Sequence, residues 1–563
     1  MRLPLRFIIV ITAFTVAVLI SLSIFLLPSV KPETAAQGEF SSERAMKHVV
    51  KIASTIHTVG SPAQKEARDY IINEISAMGF KPEIQKGYGK NDSEGFMGFV
   101  PYAGELENIY FRIKGSGNTD QDILMLAHYD STLGGPGAAD DASGVAVLLE
   151  MARALASETA LKNDIVVLFT DGEEAELLGS KLFTHNSEVL ENVCLTINFE
   201  ARGNRGPSIL FETSDKNDWL MNEFLKAVPY PLVYSFTTDI YKIVRNITDF
   251  TPFLDAGNSG FNLANLGGME TYHNPQDTPE NLDKGFLQHQ GSYAVSLARH
   301  FGNIPLDNVK SSHNAVFFTL ARSVTVSYSD QWSVPLTTLA LILLAFVLFI
   351  GFRRQYIFLK GIISGFFISL LGIVAAAGLG LAAQVLFKGI FYKLDSVLSI
   401  SDLVDLRRML IFNGNIWIVA ILVLSAIILF VLQRLFRRKL SVCNLLLGNI
   451  LVFAMLAVVF LFVLQSIGYI FLWPLILSLT GLLIDFAVGR RIGQKYILSF
   501  IMSTFACVLI YIPIGYVLFE ALTMLNAVIP IAVLSIPLGF VILNTSLFVE
   551  NTKELGRPRL SAR

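Results

Sequence analysis

The chain has 563 residues, 53% of them hydrophobic and 16% charged, with a mean hydropathy of +0.54. The length exceeds one ordinary domain, and the composition lies well outside the range of a soluble globular protein. A formal net charge of -2 gives no reason to expect a nucleic-acid partner. All eight histidines precede residue 314, and apolar runs dominate beyond residue 334, so a soluble-type domain is joined to a membrane domain. Cys194, Cys443 and Cys507 fall in one predicted strand and two membrane helices, which leaves no visible disulfide framework.

The chain opens on MRLPLR and an uninterrupted apolar run over residues 7–27, matching the roughly 20 residues that a bilayer span needs. A secretory signal with an AxA-like site near Thr34–Ala36 is the competing reading. Its apolar core usually runs only about 7–15 residues, so residues 1–28 are assigned as a retained transmembrane anchor. Residues 29–41 have linker composition, and a soluble-type domain extends over 42–310. It starts with the helix SSERAMKHVVKIA, capped by Ser41 or Ser42. In the amphipathic helix that follows, Ala67, Tyr70, Ile71, Ile75 and Met78 share one face. Strand-like text over 81–127 gives way to helix 142–157, strand 164–170, helix 175–186, strands 192–200 and 208–212, helix 216–228 and a closing helix 278–301. Continuous apolar strands between amphipathic helices predict an α/β domain with a largely buried sheet. Functional residues in such sheets collect at the C-terminal strand ends.

A linker over 311–333 leads to apolar segments at 334–352, 358–387, 412–433, 443–465, 468–486, 496–519 and 523–547, each long enough to span. They make a seven-helix transmembrane domain over 334–547, followed by a tail over 548–563. Basic residues cluster at Arg353 and Arg354, at Arg434, Arg437, Arg438 and Lys439, at Arg490, Arg491 and Lys495, and in the tail at Lys553, Arg557, Arg559 and Arg563. With eight spans in all, these and the N-terminal Arg2 and Arg6 fall on one side, which the positive-inside rule makes cytoplasmic. The α/β domain and the mixed-charge loop 388–411 are then expected on the opposite side, with the tail cytoplasmic.

Three apolar strands end in chemistry-bearing residues. His128 and Asp130 alternate at the first, so their side chains share a side. Asp140 and Asp141 lie in GAADDASG, a turn running into a helix, where a carboxylate could bridge two ions. Glu173 and Glu174 are adjacent, so that if one binds metal the other is free to act as a base toward water. Glu200 ends the third strand, and His273 is the one later histidine flanked by turn residues and acids. Singly, each acid reads equally well as a solvated loop residue; the set points to a metal cluster.

HYDS, PGAADDASGVA, DGEEAELLGS, NFEARG and YHNPQDTPENL occur in the order and rough spacing of the M28 zinc aminopeptidases. The HTVGSPAQKEARDYI stretch and the multi-span tail further resemble the endoplasmic-reticulum and vacuolar membrane branch of that family. The resemblance covers roughly residues 42–303 by motif and the remainder only by hydrophobic architecture. It implies a mixed, mostly parallel sheet between helices and two zinc ions. His128 would bind one ion and Asp140 would bridge both; Glu200 would complete the first, while Glu174 and His273 would hold the second. Glu173 would be the general base, and Asp130 would hold the His128 ring. Glu200 stands where many soluble members have Asp, and Asp141 where many have Asn, which makes Asp141 a rival for the bridge; motif register favours Asp140.

His57 precedes a GSP turn away from other acids and reads as structural, while His185 and His289 read as surface or packing histidines. Asp249, in TDFTPFLDAG, opens a helix as an N-cap or first-turn acid. Tyr272 reads either as an oxyanion stabiliser or as a packing residue. Asn91, Asn246 and Asn544 match the short glycosylation pattern, the third near the cytoplasmic end of the last span. A transporter would need ionisable groups inside spans, yet Asp485 and Glu520 lie near helix ends; Asn444, Asn449 and Gln465 are the candidates for a polar path. An inactive receptor-like domain would have lost ligands, and all five ligand positions carry a competent donor. The expectation is therefore a membrane-bound zinc exopeptidase, an aminopeptidase acting on peptides outside the cytoplasm. A carboxypeptidase or amide hydrolase is the alternative on the same site. Its partners are a peptide substrate and the lipid bilayer, in the plasma membrane of a bacterium or the endoplasmic-reticulum or vacuolar membrane of a eukaryote. The oligomeric state is open.

Overall fold

A computed structural model describes residues 3–91, 102–117, 119–244, 246–395, 400–436, 439–492, 496–522 and 526–549. They form two compact units, one running Ile24–Ser329, the other joining the N-terminal helix to the chain from Asp330 onward.

The Ile24–Ser329 unit is built on a seven-stranded sheet. Its strands are β1 (Glu83–Lys90), β2 (Ala103–Ile113), β3 (Asp122–His128), β4 (Ile165–Thr170), β5 (Val193–Phe199), β6 (Arg205–Thr213) and β7 (Ser259–Gly267). The spatial order is β1-β2-β4-β3-β5-β7-β6. The four central strands are parallel, and the flanking strands run antiparallel, giving the mixed, mostly parallel sheet expected. β3 and β4 are buried at every position, as strands covered on both faces must be. Helices α2 (Ser42–Ile52), α3 (Pro62–Ala77), α4 (Ala142–Ala156), α5 (Leu178–Asn186), α6 (Asp218–Ala227), α7 (Ser235–Val244), α8 (Phe250–Asp255) and α9 (Lys284–Phe301) surround it. Ser41, not Ser42, caps α2 by accepting from the Arg44 N–H at 3.2 Å. On α3 the buried positions are Gln64, Ala67, Ile71 and Ile75, the expected stripe extended by one polar residue.

Differences from the sequence expectation cluster where polar residues are buried or the backbone turns sharply. α5 begins at Leu178 rather than 175 because Glu176 and Leu177 take positive φ of 72° and 60°. α9 begins at Lys284, where Asp283 caps it by accepting from Gly285 N–H at 2.7 Å. β7 and α7 were not anticipated. β7 reads as polar text, but Asn262 donates to Glu212 at 2.9 Å and Asn265 to the Arg205 carbonyl at 2.9 Å, so its amide nitrogens are paired laterally inside the sheet. Residues 315–329, expected within a linker, form the hairpin β8 (Ala315–Ala321) and β9 (Val324–Ser329).

The second unit contains α1 (Leu3–Leu22), α10 (Ser333–Arg353), α11 (Leu359–Asp395), α12 (Ile400–Phe436), α13 (Val442–Val463), α14 (Gln465–Ile492), α15 (Ile497–Leu522) and α16 (Val528–Val549). Eight helices in the described residues are long and apolar enough to cross a membrane. α11 and α12 have 37 residues each, about 55 Å at 1.5 Å per residue, far beyond a hydrocarbon core of about 30 Å. Most of the expected loop 388–411 is thus helical. α11 and α13 cross so closely that a Cβ on Gly448 would lie 2.2 Å from the Gly365 carbonyl carbon, the small-residue packing typical of membrane helices. Of the basic residues expected to set the topology, Arg2, Arg437, Arg438, Lys495 and the tail from residue 550 lie outside the described residues.

Candidate active site

The parallel strands deliver their C-terminal ends to one edge, and the site is assembled there. β3 ends at His128, the loop after β4 carries Glu173 and Glu174, and Glu200 directly follows β5. The turn before α4 brings Asp140, and the loop after β7 brings His273. That last loop approaches the turn after β3 so closely that a Cβ on Gly134 or Gly135 would lie 2.3 or 2.1 Å from the carbonyl oxygens of His273 and Asn274. His273 itself holds φ at 52°, the left-handed region that an L side chain seldom adopts.

All the residues singled out as ligands converge. His128 Nε2 lies 3.1 Å from Asp140 Oδ1 and 3.8 Å from Glu200 Oε2. The other Asp140 oxygen, Oδ2, lies 3.2 Å from His273 Nε2, which is also 3.2 Å from Glu174 Oε1. The donors form three overlapping groups, His128–Asp140–Glu200, His128–Glu173–Glu174 and Asp140–Glu174–His273, each within 4.8 Å. Asp140 therefore faces both histidines, one oxygen to each.

Asp141 is occupied elsewhere. Its Oδ1 accepts from Gly144 N–H at 3.0 Å, capping α4, and its Oδ2 from His128 N–H at 3.3 Å. Asp130 is fully buried, and its oxygens accept from the N–H groups of Glu173 and Glu174 at 3.0 and 3.2 Å. Toward the His128 ring, the Asp130 carbonyl oxygen at 3.0 Å is closer to Nδ1 than the carboxylate at 3.4 Å. Asp249 makes no side-chain cap on α8. It takes the Thr170 hydroxyl instead, entirely buried.

Electrostatics follow from burying so many acids together. Burial, then neighbouring acids, raises Glu173 and Glu174, and Glu200 to about 8, against the pull of the histidines. Burial also pushes Asp140 up, but His128 and His273 outweigh it and hold it at about 2. For His273, burial disfavours the charge, yet Glu174 and Asp140 lift it to about 10. Glu174 Oε1 and His273 Nε2 are buried without a hydrogen-bond partner. Imidazole nitrogens and carboxylate oxygens facing one another with orphaned lone pairs fit a divalent cation, which would relieve the repulsion among the acids.

Sequence reasoning passed over Asp277, whose oxygens accept from Ala139 N–H at 2.7 Å and Asp140 N–H at 3.2 Å and so hold the bridging turn. Its signal was an acid four residues after His273 in a proline-rich turn. His57 is buried, its Nδ1 2.9 Å from the Thr55 carbonyl. His289 is buried too, and His185 is hydrogen-bonded to the Lys181 carbonyl of its own helix. The Tyr272 ring stacks on His273 at 3.8 Å between centroids.

Residues 108–298 match the model of Peptidase family M28. This segment is an M28 domain. The chain is 30% identical over 341 residues to the putative endoplasmic reticulum metallopeptidase 1 of Schizosaccharomyces pombe, covering 55% of this chain and 40% of that protein. It is 25% identical over 314 residues to human endoplasmic reticulum metallopeptidase 1 (52% and 34%), and 25% identical over 344 residues to the vacuolar membrane protease of Clavispora lusitaniae (56% and 33%). The matched stretch thus spans well under half the length of these relatives. Among solved structures, an aminopeptidase from Aneurinibacillus sp. strain AM-1 is similar over 47% of this chain and 95% of its own, at 15% identity and a TM-score of 0.39. The chain thus joins a segment that matches Peptidase family M28 to eight helices, among the described residues, that are long and apolar enough to cross a membrane.

Proposed function

We propose that this chain is a membrane-bound, zinc-dependent exopeptidase, an aminopeptidase with Glu173 as general base. The observation that carries the reading is the Asp140 carboxylate, with one oxygen 3.1 Å from His128 and the other 3.2 Å from His273. In this reading His128, Asp140 and Glu200 would hold one zinc ion, and Asp140, Glu174 and His273 a second. When bound, the ions would polarise the scissile carbonyl and lower the pKa of water. Glu174 points its Oε1 at His273, which leaves Glu173 as the carboxylate of the pair to accept a proton from the attacking water and return it to the leaving amine. Asp130 positions both glutamates through their N–H groups. Its carbonyl oxygen fixes the His128 tautomer, so that Nε2 presents a lone pair to the cluster.

The names of the relatives and the loop charges support placing the domain outside the cytoplasm, on the lumenal side of an internal membrane or outside a bacterial plasma membrane. The substrate is a peptide and the other partner is the bilayer. The test is release of amino acids from defined peptides by the purified full chain, before chelation, after it, and after zinc is restored. Amino-terminal release that disappears with chelation and returns with zinc supports the reading. Release unaffected by chelation, in protein shown to have lost its metal, would overturn it.

A further inference from the structure

Arginine charges among the described residues of the Ile24–Ser329 unit are nearly all spent. Arg44, Arg68, Arg112, Arg153, Arg205 and Arg299 each have a carboxylate within ion-pair distance. Arg322 lies 4.0 Å over the Tyr230 ring. Arg202 differs: among the described residues its half-buried guanidinium has no carboxylate partner, and its central carbon stands 6.0 Å from the centre of the Tyr272 ring. The backbone there is fixed, because Arg202 N–H donates to the Asn265 carbonyl at 3.1 Å.

Its place gives this cation a use. Tyr272 stacks on His273 at 3.8 Å and 21°, and His273 is 3.2 Å from both Asp140 and Glu174. The guanidinium therefore stands one aromatic ring away from the acid cluster without being drawn into it. Arg202 directly extends the NFEARG strand end that supplies Glu200. A half-buried guanidinium with an empty fork is matched by a planar carboxylate, which it binds bidentately. A peptide residue spans about 3.3–3.6 Å, so a carboxylate one residue beyond a bond cleaved at the cluster calls for a cation a short step from it, and Arg202 stands one aromatic ring from His273.

We propose that Arg202 binds a substrate carboxylate one residue beyond the scissile bond, which makes short peptides with a free C-terminus, dipeptides first, the preferred substrates. The inference rests on the peptidase reading and narrows it. The same guanidinium would accept an acidic side chain at that position, and the experiment separates the two sources.

The purified, zinc-loaded full chain is given three dipeptides of matched sequence: the free acid, the C-terminal amide, and an amide whose second residue is Glu in place of Gln. A terminal-carboxylate site gives kcat/KM about 10–100-fold higher for the free acid than for its amide, the usual scale for a charge-assisted pair. A side-chain site gives that preference to the Glu amide over the Gln amide instead. In either case Arg202→Met collapses the ratio mainly through KM, and Arg202→Lys, which keeps the charge but not the fork, retains part of it. Equilibrium binding of the acid and amide dipeptides to Glu173→Gln protein, and to the same protein carrying Arg202→Met, reads the contact without turnover. Equal rates on all three substrates and equal binding of acid and amide would overturn the role of Arg202 while leaving the peptidase reading intact. Hydrolysis of none of them would overturn the peptidase reading, and the binding comparison would then decide Arg202 by itself.

Discussion

The two units bury polar residues of different kinds. In the sheet unit, side chains from separate loops converge at one strand edge, and two of them, Glu174 and His273, keep buried atoms with no hydrogen-bond partner. In the helical unit, buried polar side chains among the described residues tie neighbouring segments together through one atom each. Asp485 accepts from Ser499 N–H at 2.7 Å, Asn444 from Phe358 N–H at 3.0 Å, and Gln433 donates to the Gly539 carbonyl at 3.0 Å. Asn449 meets Ser369 at 3.3 Å, Gln465 is exposed, and the buried oxygens of Gln433 and Asn449 keep no hydrogen-bond partner. An unsatisfied buried polar group costs about 1–3 kcal/mol, more if charged, so a cluster of them makes sense where a cation completes the set. The orphaned atoms of the helical unit belong to neutral amides and hydroxyls, and no cluster of carboxylates and imidazoles occurs there among the described residues. The contrast favours catalysis in the first unit and anchoring in the second.

The largest expected effect tests the first half of that contrast. Glu173→Gln should lower peptide hydrolysis roughly a hundred- to ten-thousand-fold, the scale of losing a general base, while the zinc content stays at the wild-type level. Full hydrolysis in that variant would remove Glu173 from the mechanism. Asp140→Ala should lower zinc content as well as activity, because it strips an oxygen from both donor groups. Wild-type protein should also gain stability on zinc addition, about 4 kcal/mol at a thousandfold excess over the dissociation constant, and the variant should lose most of this gain. Thermal unfolding with and without chelator measures both. A variant that still takes up zinc like wild type would deny Asp140 the bridge.

How far the site was legible follows from what kind of signal each part carries. His128, Asp140, Glu173, Glu174 and Glu200 sit at strand ends or in a glycine-rich turn, so periodicity and turn chemistry point to them. The pattern of continuous apolar strands likewise carries the central sheet. What stayed hidden depends on tertiary satisfaction. β7 contains Asn262 and Asn265, which look like loop residues until their neighbours Glu212 and Arg205 are in place. Asp249 reads as a helix cap because Thr170, its actual partner, lies 79 positions away. The β8–β9 hairpin reads as a way out of the domain because nothing local announces its pairing. In the helical unit, hydropathy marks the spans but not their ends, so a loop is expected over 388–411 where α11 runs on to Asp395 and α12 starts at Ile400.

A smaller effect separates His289 from His128 and His273. Its Nδ1 accepts from Ser208 N–H at 3.0 Å and its Nε2 faces the Tyr230 carbonyl at 3.3 Å. Burial pushes its pKa down to about 4, with Arg322 adding to the shift against the Tyr230 carbonyl. A base depressed on folding contributes stability that is complete above the unfolded value near 6.5 and is lost as pH falls toward 4. The loss should approach about 3 kcal/mol. In chelated protein, where metal release plays no part, His289→Gln should flatten the slope of unfolding free energy between pH 6.5 and 4. An unchanged slope would mean that His289 does not carry it.

The smallest effect belongs to the helical unit and tests the second half of the contrast. Asp485 is buried, and its carboxylate receives the backbone N–H of Ser499 in the first turn of α15. Removing a side chain that caps a helix start costs about 0.5–2 kcal/mol, so Asp485→Ala should lower the thermal stability of the helical unit slightly. Peptide hydrolysis per folded molecule should not change, because no donor of the metal cluster lies in that unit. If Asp485→Ala instead abolished hydrolysis while folding and zinc content were preserved, the helices would be taking part in turnover, and the division between a catalytic unit and an anchoring one would fail.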